Sequence, residues 1–145
     1  MTPGHVVLLV LGILAFNIAL WIPVLLWLRS RTRAIIAALT RDFDASGERT
    51  LVAPESALYG GATGPRPRAR GNAVVALTDR RLVVRRLVGD AFEIARADIT
   101  AVREAPSFLG RSRGTPFVVV TSRDGSEVGL LVREHRAWLA ALGRS

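Results

Sequence analysis

Residues 6–28, VVLLVLGILAFNIALWIPVLLWL, carry no charged side chain and stop at Arg29, Arg31 and Arg33. As a helix this run of 23 residues rises about 34 Å, enough to cross a hydrocarbon core of about 30 Å with slight tilt. Its sixteen Leu, Ile, Val and Phe residues favour insertion by roughly 5 kcal/mol or more, and Asn17 and Pro23 oppose this only weakly. Trp21 and Trp27 lie toward the arginine end, where indole rings suit the interface. A cleaved signal peptide is the competing reading. The run is longer than a usual signal core, no basic segment precedes it, and no small-x-small cleavage site separates it from the arginines. An uncleaved membrane anchor is therefore expected. The flank MTPGH has no Lys or Arg, whereas Arg29, Arg31, Arg33 and Arg41 crowd the other side. Because such residues stay cytoplasmic, residues 1–5 are expected outside the plasma (inner) membrane and the rest of the chain inside the cell.

Working outward, the helix is expected to continue as a basic juxtamembrane neck over 29–47. Ile35, Ile36, Leu39 and Phe43 recur at helical spacing before Gly47 offers a stop. An amphipathic neck can lie on the membrane surface or pack on the following domain, and packing is the preferred expectation. Residues 48–145 suit one small domain with its own core. All 20 basic residues are arginine, and the net charge of +8 lies wholly beyond the anchor. The soluble part is thus basic enough to be drawn to anionic lipid or nucleic acid. The absence of cysteine rules out disulfides, a thiolate zinc site and a cysteine nucleophile.

From Arg49 the pattern changes to short β-type runs divided by turn residues. Strands are expected at Thr50 to Ala53, extended by Ala57 to Tyr59, then Ala73 to Thr78, Arg81 to Leu87, Ala91 to Ala95 and Ile99 to Arg103. Two more, Phe117 to Thr121 and Glu127 to Val132, flank Arg123-Asp124-Gly125, whose Asp-Gly pair is the strongest hairpin signal in the chain. Val88-Gly89-Asp90 reads as a second tight link. Gly60 to Asn72, GGATGPRPRARGN, reads as a long loop. At Arg81 to Leu87 the alternation is imperfect, as at a bulge or an edge strand. A final helix, Arg133 to Leu142, presents Trp138, Leu139 and Leu142 on one face and needs the sheet as its partner.

The segments GNAVVALTDRRLVVRRL, FEIARADITAVREA, FVVVTSRDGSEVGLLV and AWLAAL, in this order over Glu48 to Leu142, resemble the bacterial pleckstrin-homology-like (PH-like) family and the related GRAM-type domains. The resemblance implies a mostly-β, α+β barrel of about seven antiparallel strands, bent and nearly closed, capped by the C-terminal helix. It also resembles small bacterial proteins that tether one such domain to the membrane by an N-terminal helix, for which no enzymatic reaction is implied. In eukaryotic members basic residues between the first two strands bind phosphoinositide headgroups, and Arg66, Arg68 and Arg70 occupy the corresponding loop. Their spacing of two places the three guanidinium groups on one side if the segment is extended, and Arg111 and Arg113 would supplement them. A solvated arginine-rich loop is the other reading of the same residues.

No phosphate-loop, dinucleotide or nucleophile-elbow motif occurs, and His5 and His135 are too few for a metal cluster. No catalytic residue, cofactor or metal is expected. The resulting expectation is a non-enzymatic adaptor at the cytoplasmic membrane face, engaging a protein partner or anionic lipid headgroups. A structural subunit of a membrane complex, packing through Gly12, Ala15 and Ala19, is the alternative. Nucleic-acid binding would require interleaved exposed aromatics or a groove-entering helix, and neither is evident.

Overall fold

The computed structural model describes residues 2–110, 112 and 114–143. Helix α1 spans Pro3–Ser46 without a break. Its 44 residues make a rod about 66 Å long, so the apolar run and the neck are one element. Pro3 starts it, where a missing N–H costs nothing, and Gly47 ends it in the left-handed conformation with φ 72°. The helix is long and apolar enough to cross a membrane, and none of its apolar window is buried in the protein. Every large apolar side chain from Val6 to Trp27 is exposed, which distinguishes it from the core helix of a soluble fold. Asn17 satisfies its own amide by donating to the Ile13 carbonyl at 2.8 Å.

The remainder is a seven-stranded antiparallel sheet followed by one helix. The strands are β1 (Thr50–Ala62), β2 (Gly71–Thr78), β3 (Arg81–Arg86), β4 (Phe92–Ala95), β5 (Ile99–Ala105), β6 (Phe117–Ser122) and β7 (Glu127–Leu131), and the helix is α2 (His135–Gly143). They are ordered β4-β3-β2-β1-β7-β6-β5, so β1 pairs with both β2 and β7 while β4 and β5 form the edges. Laid flat, those edges would stand about 29 Å apart. Only the short turn Arg96–Asp98 joins them, and four residues from Ala95 to Ile99 reach at most about 14 Å. The sheet is therefore strongly curled, yet its edges are not paired with each other and it remains open.

Helix α2 fills the concave side. Trp138 is fully buried there with Leu142, and Leu139 packs partly against the same core of Tyr59, Val75, Leu77, Leu82, Ile94 and Val118. The Trp138 indole N–H donates to Glu55 Oε1 at 2.8 Å, so burying the ring leaves no polar atom orphaned.

The convex side is also covered, in two places. Leu39 and Phe43 of the neck, with Leu28, Ile35 and Ile36, pack on Val74, Ala76, Val83 and Leu87. The loop after β5 folds back so that Phe108 joins Ala105, Phe117 and Val119. A Cβ on Gly129 would lie 2.3 Å from the Phe108 ring, so β7 needs a glycine where that ring lies flat on it.

This second layer corrects the reading of Arg81 to Leu87. Strand β3 is neither bulged nor an edge: it lies between β4 and β2, and its register from Leu77↔Leu82 to Ala73↔Arg86 is unbroken. Alternation is lost because Val83 faces the neck while Leu82 and Val84 face the core. The loop at Gly60 to Asn72 is likewise shorter than expected, because Gly60, Gly61 and Ala62 continue β1 and Gly71 and Asn72 open β2. Gly60 admits the Phe117 ring and Gly61 admits the Arg68 carbonyl, each 2.9 Å from where a Cβ would stand. The two expected runs at Thr50 and Ala57 are one strand, whose register shift between Val52 and Glu55 absorbs Pro54.

Candidate functional site

The neck fixes how the sheet sits relative to the apolar segment. Strand β2 runs alongside α1, with Asn72 at the level of Leu28 and Thr78 at the level of Glu48. From residue 28 to 43 the helix advances about 22 Å, and β2 from 71 to 78 advances about 23 Å. The matched lengths let one apolar stripe serve the whole strand pair.

Polar contacts pin both ends. Near the apolar segment, Arg31 Nε–H donates to the Leu87 carbonyl, and its guanidinium lies 5.7 Å from the Trp27 ring centroid. At the far end, Glu48 accepts from Arg81 Nε at 3.2 Å and from Thr78 Oγ1 at 2.6 Å. Burial works to raise the Glu48 carboxyl, but hydrogen bonds from Arg81, Thr78 and Ser46 outweigh it and hold the group at about 2 against an ordinary 4.5. Glu48 in turn raises Arg81 above its ordinary value, with Glu93 assisting. Thr78 also accepts from the Arg80 and Arg81 amides. The Leu-Thr-x-x-Arg-Leu run at 77–82 thus builds the β2–β3 turn and clasps it to the helix end; these residues are structural.

The arginines of the β1–β2 loop go to different places. Arg66 Nη1 donates to Ser126 Oγ, and Ser126 donates to Asp124 Oδ1 at 2.6 Å. That hydroxyl, the Ser126 amide and the nearby Arg66 charge hold the Asp124 carboxyl below its ordinary range. Arg66 therefore belongs to the β6–β7 turn, where it borders a cavity of about 350 Å³ with Arg123, Asp98 and Ser122. Arg68 is exposed. Arg70 lines a different cavity, of about 390 Å³, together with Leu28, Arg86 and Val88. Arg66 and Arg70 thus border different cavities. Arg111 and Arg113 lie outside the described residues.

Of the arginines that follow the apolar run, Arg29 and Arg33 line a third cavity of about 350 Å³ with Thr32, Ser56 and Asn72. This cavity and the Arg70 cavity share Leu28, Asn72 and Leu87 as wall residues, so the two adjoin at the junction of helix and sheet as an arginine-lined crevice.

Arg86 was not singled out by the sequence, although a trace was present: counting by twos from Leu82 and Val84 puts it on the inward face, an unusual position for a cation. Its guanidinium lies 5.7 Å from the Tyr59 ring centroid. Gly89, at φ 110°, closes on its other side, and a Cβ there would stand 2.7 Å from Arg86 Cζ. The Arg86 Nε is buried with no hydrogen-bond partner among the described residues. Tyr59 donates its hydroxyl to the Pro67 carbonyl, and burial pushes that phenol up to about 12.

Among the described residues no three His, Asp or Glu side chains converge as a metal site would require. His135 stands 3.7 Å from Glu104 at the start of α2.

No family model and no curated protein matches the chain. Among solved structures, it is similar to the C-terminal domain of an unknown protein from Leishmania infantum, over 76% of this chain and 99% of that one, with a TM-score of 0.52 and 15% identity. That likeness is one of fold.

Proposed function

We propose that this chain is a non-enzymatic, membrane-anchored adaptor in which a PH-like domain, held at the cytoplasmic face of the plasma membrane, engages a protein partner or anionic lipid headgroups. The observation that carries this reading is the unbroken helix Pro3–Ser46 with its lower half packed on β2 and β3. A flexible tether would let the domain sample all orientations, whereas a neck packed on β2 and β3 fixes the domain's orientation relative to the apolar segment. The PH-like assignment is supported by the strand order β4-β3-β2-β1-β7-β6-β5 and by α2 against the concave core. Charge supports the orientation, since the arginines after the apolar run belong on the cytoplasmic side.

The cysteine-free chain makes the test simple. Single cysteines at Thr2 and at the exposed Ser112 are labelled with a membrane-impermeant maleimide in intact cells and after lysis. Labelling of Thr2→Cys in intact cells, with Ser112→Cys protected until lysis, is expected. The opposite pattern would refute a cytoplasmic domain. Site-specific photocrosslinking in native membranes then reports the occupant: a discrete protein adduct or lipid adducts support the adaptor reading, and a chain crosslinked to neither refutes it.

A further inference from the structure

We propose that the crevice between α1 and the ends of β2 and β3 binds the phosphodiester headgroup of an anionic phospholipid drawn from the leaflet that the helix leaves. The proposal rests on the membrane-anchored reading above and adds to it a defined site and ligand class. Four arginines, Arg29 and Arg33 from the helix, Arg70 from the β1–β2 loop and Arg86 from β3, line the two adjoining cavities, and no Asp or Glu lines either of them. Thr32, Ser56 and Asn72 add neutral hydrogen-bonding groups. Arg29 and Arg33 are four apart, so the helix presents them one turn above the other.

Arg86 makes the site more than a basic surface. Its guanidinium is held between the Tyr59 ring and the Gly89 backbone at the border of the Arg70 cavity, so its charge is fixed in place. A phosphate oxygen is the kind of acceptor that arginine guanidinium groups fit best.

Position selects a membrane lipid as the source of that phosphate. Leu28 is the last apolar residue of the run, and residues 28–33 rise only about 8 Å from it, which is the depth of the headgroup layer. The crevice wall there is Leu28 and Leu87, and Val88 beside them is 71% exposed at the tip of the β3–β4 turn. Arg31, bonded to the Leu87 carbonyl, locks this tip to the anchor, so the site is preorganised.

The test uses the full chain in nanodiscs of mixed phosphatidylcholine and phosphatidylglycerol, with retained lipid counted by native mass spectrometry after transfer to mild detergent. Selective retention of phosphatidylglycerol is expected, falling about fivefold for each arginine removed in Arg33→Gln and Arg70→Gln. Arg33 is exposed, so its substitution leaves the core intact. Arg41→Gln removes one charge from the same helix outside the crevice and should retain lipid as wild type does. Equal loss in Arg41→Gln would reduce the effect to bulk charge and overturn the site. Displacement of the lipid by inorganic phosphate would assign the crevice to a free anion and overturn the lipid. Release of the chain from vesicles by alkaline carbonate would refute the anchored reading itself. A chain that stays embedded but retains both lipids equally refutes the crevice alone.

Discussion

Replacing Phe43 by alanine tests whether the neck is a structural part of the domain. Phe43 is 2% exposed, packs with Leu39 on Val74, Ala76, Val83 and Leu87, and lies 5.6 Å beneath the Arg81 guanidinium. Truncating a buried phenylalanine costs about 3–5 kcal/mol in transfer and cavity terms. The covering element is one continuous helix of 44 residues, so it cannot bend locally to fill the gap. Against a domain stability of about 5–15 kcal/mol, this loss should lower the melting temperature by 12 °C or more, at about 4 °C per kcal/mol. The assay is thermal and urea unfolding of the full chain in detergent, followed by tryptophan fluorescence, with hydrogen exchange read at the β2 and β3 amides. Arg41→Ala, on the exposed face of the same helix, should change stability by no more than about 0.5 kcal/mol. If Phe43→Ala costs less than about 1 kcal/mol and the β2 and β3 amides keep their protection, the neck is not docked and the fixed orientation of the domain fails with it.

Two further outcomes follow from particular contacts. Glu48 is held near 2 when folded against an ordinary 4.5, so its contribution is complete above about pH 4.5 and is lost as pH falls toward 2. That interval corresponds to about 3 kcal/mol at the limit and to about half that after solvent screening; since pH 3 still lies above the folded value, acid should destabilise wild type more than Glu48→Gln by about 1 kcal/mol between pH 6 and pH 3 in parallel urea titrations. Equal acid sensitivity of the two proteins would show that the clasp to Arg81 carries no linkage. Gly129→Ala drives a methyl group into the Phe108 ring and should cost about 1–3 kcal/mol as overpacking. Phe108→Leu should recover part of that cost in a double-mutant cycle, and strict additivity would refute the contact.

The long apolar helix, the neck periodicity of Ile35, Leu39 and Phe43, and the succession of strands were legible because each depends on local pattern. The glycine-punctuated turn at Asp124-Gly125 was legible for the same reason, since positive φ at Gly125 is a property of that residue. The candidate site was legible only in outline. Arg29, Arg33 and Arg70 stood out as cations, yet no local rule joins a helix residue to a loop forty positions on, or sends Arg66 away to Ser126. Arg86, Tyr59 and Gly89 escaped notice because the significance of each lies in the other two.

Composition and periodicity by themselves determined that one segment is apolar enough to cross a membrane and that the rest alternates as strands before a final amphipathic helix. These follow from hydrophobicity and backbone preference, which act within a few residues. Only the tertiary structure decided that the neck covers the convex side of β2 and β3, making both faces of those strands apolar and spoiling their alternation. It alone brought Arg29, Arg33, Arg70 and Arg86 around one crevice, because convergence of distant charges is set by how the curled sheet packs on the helix.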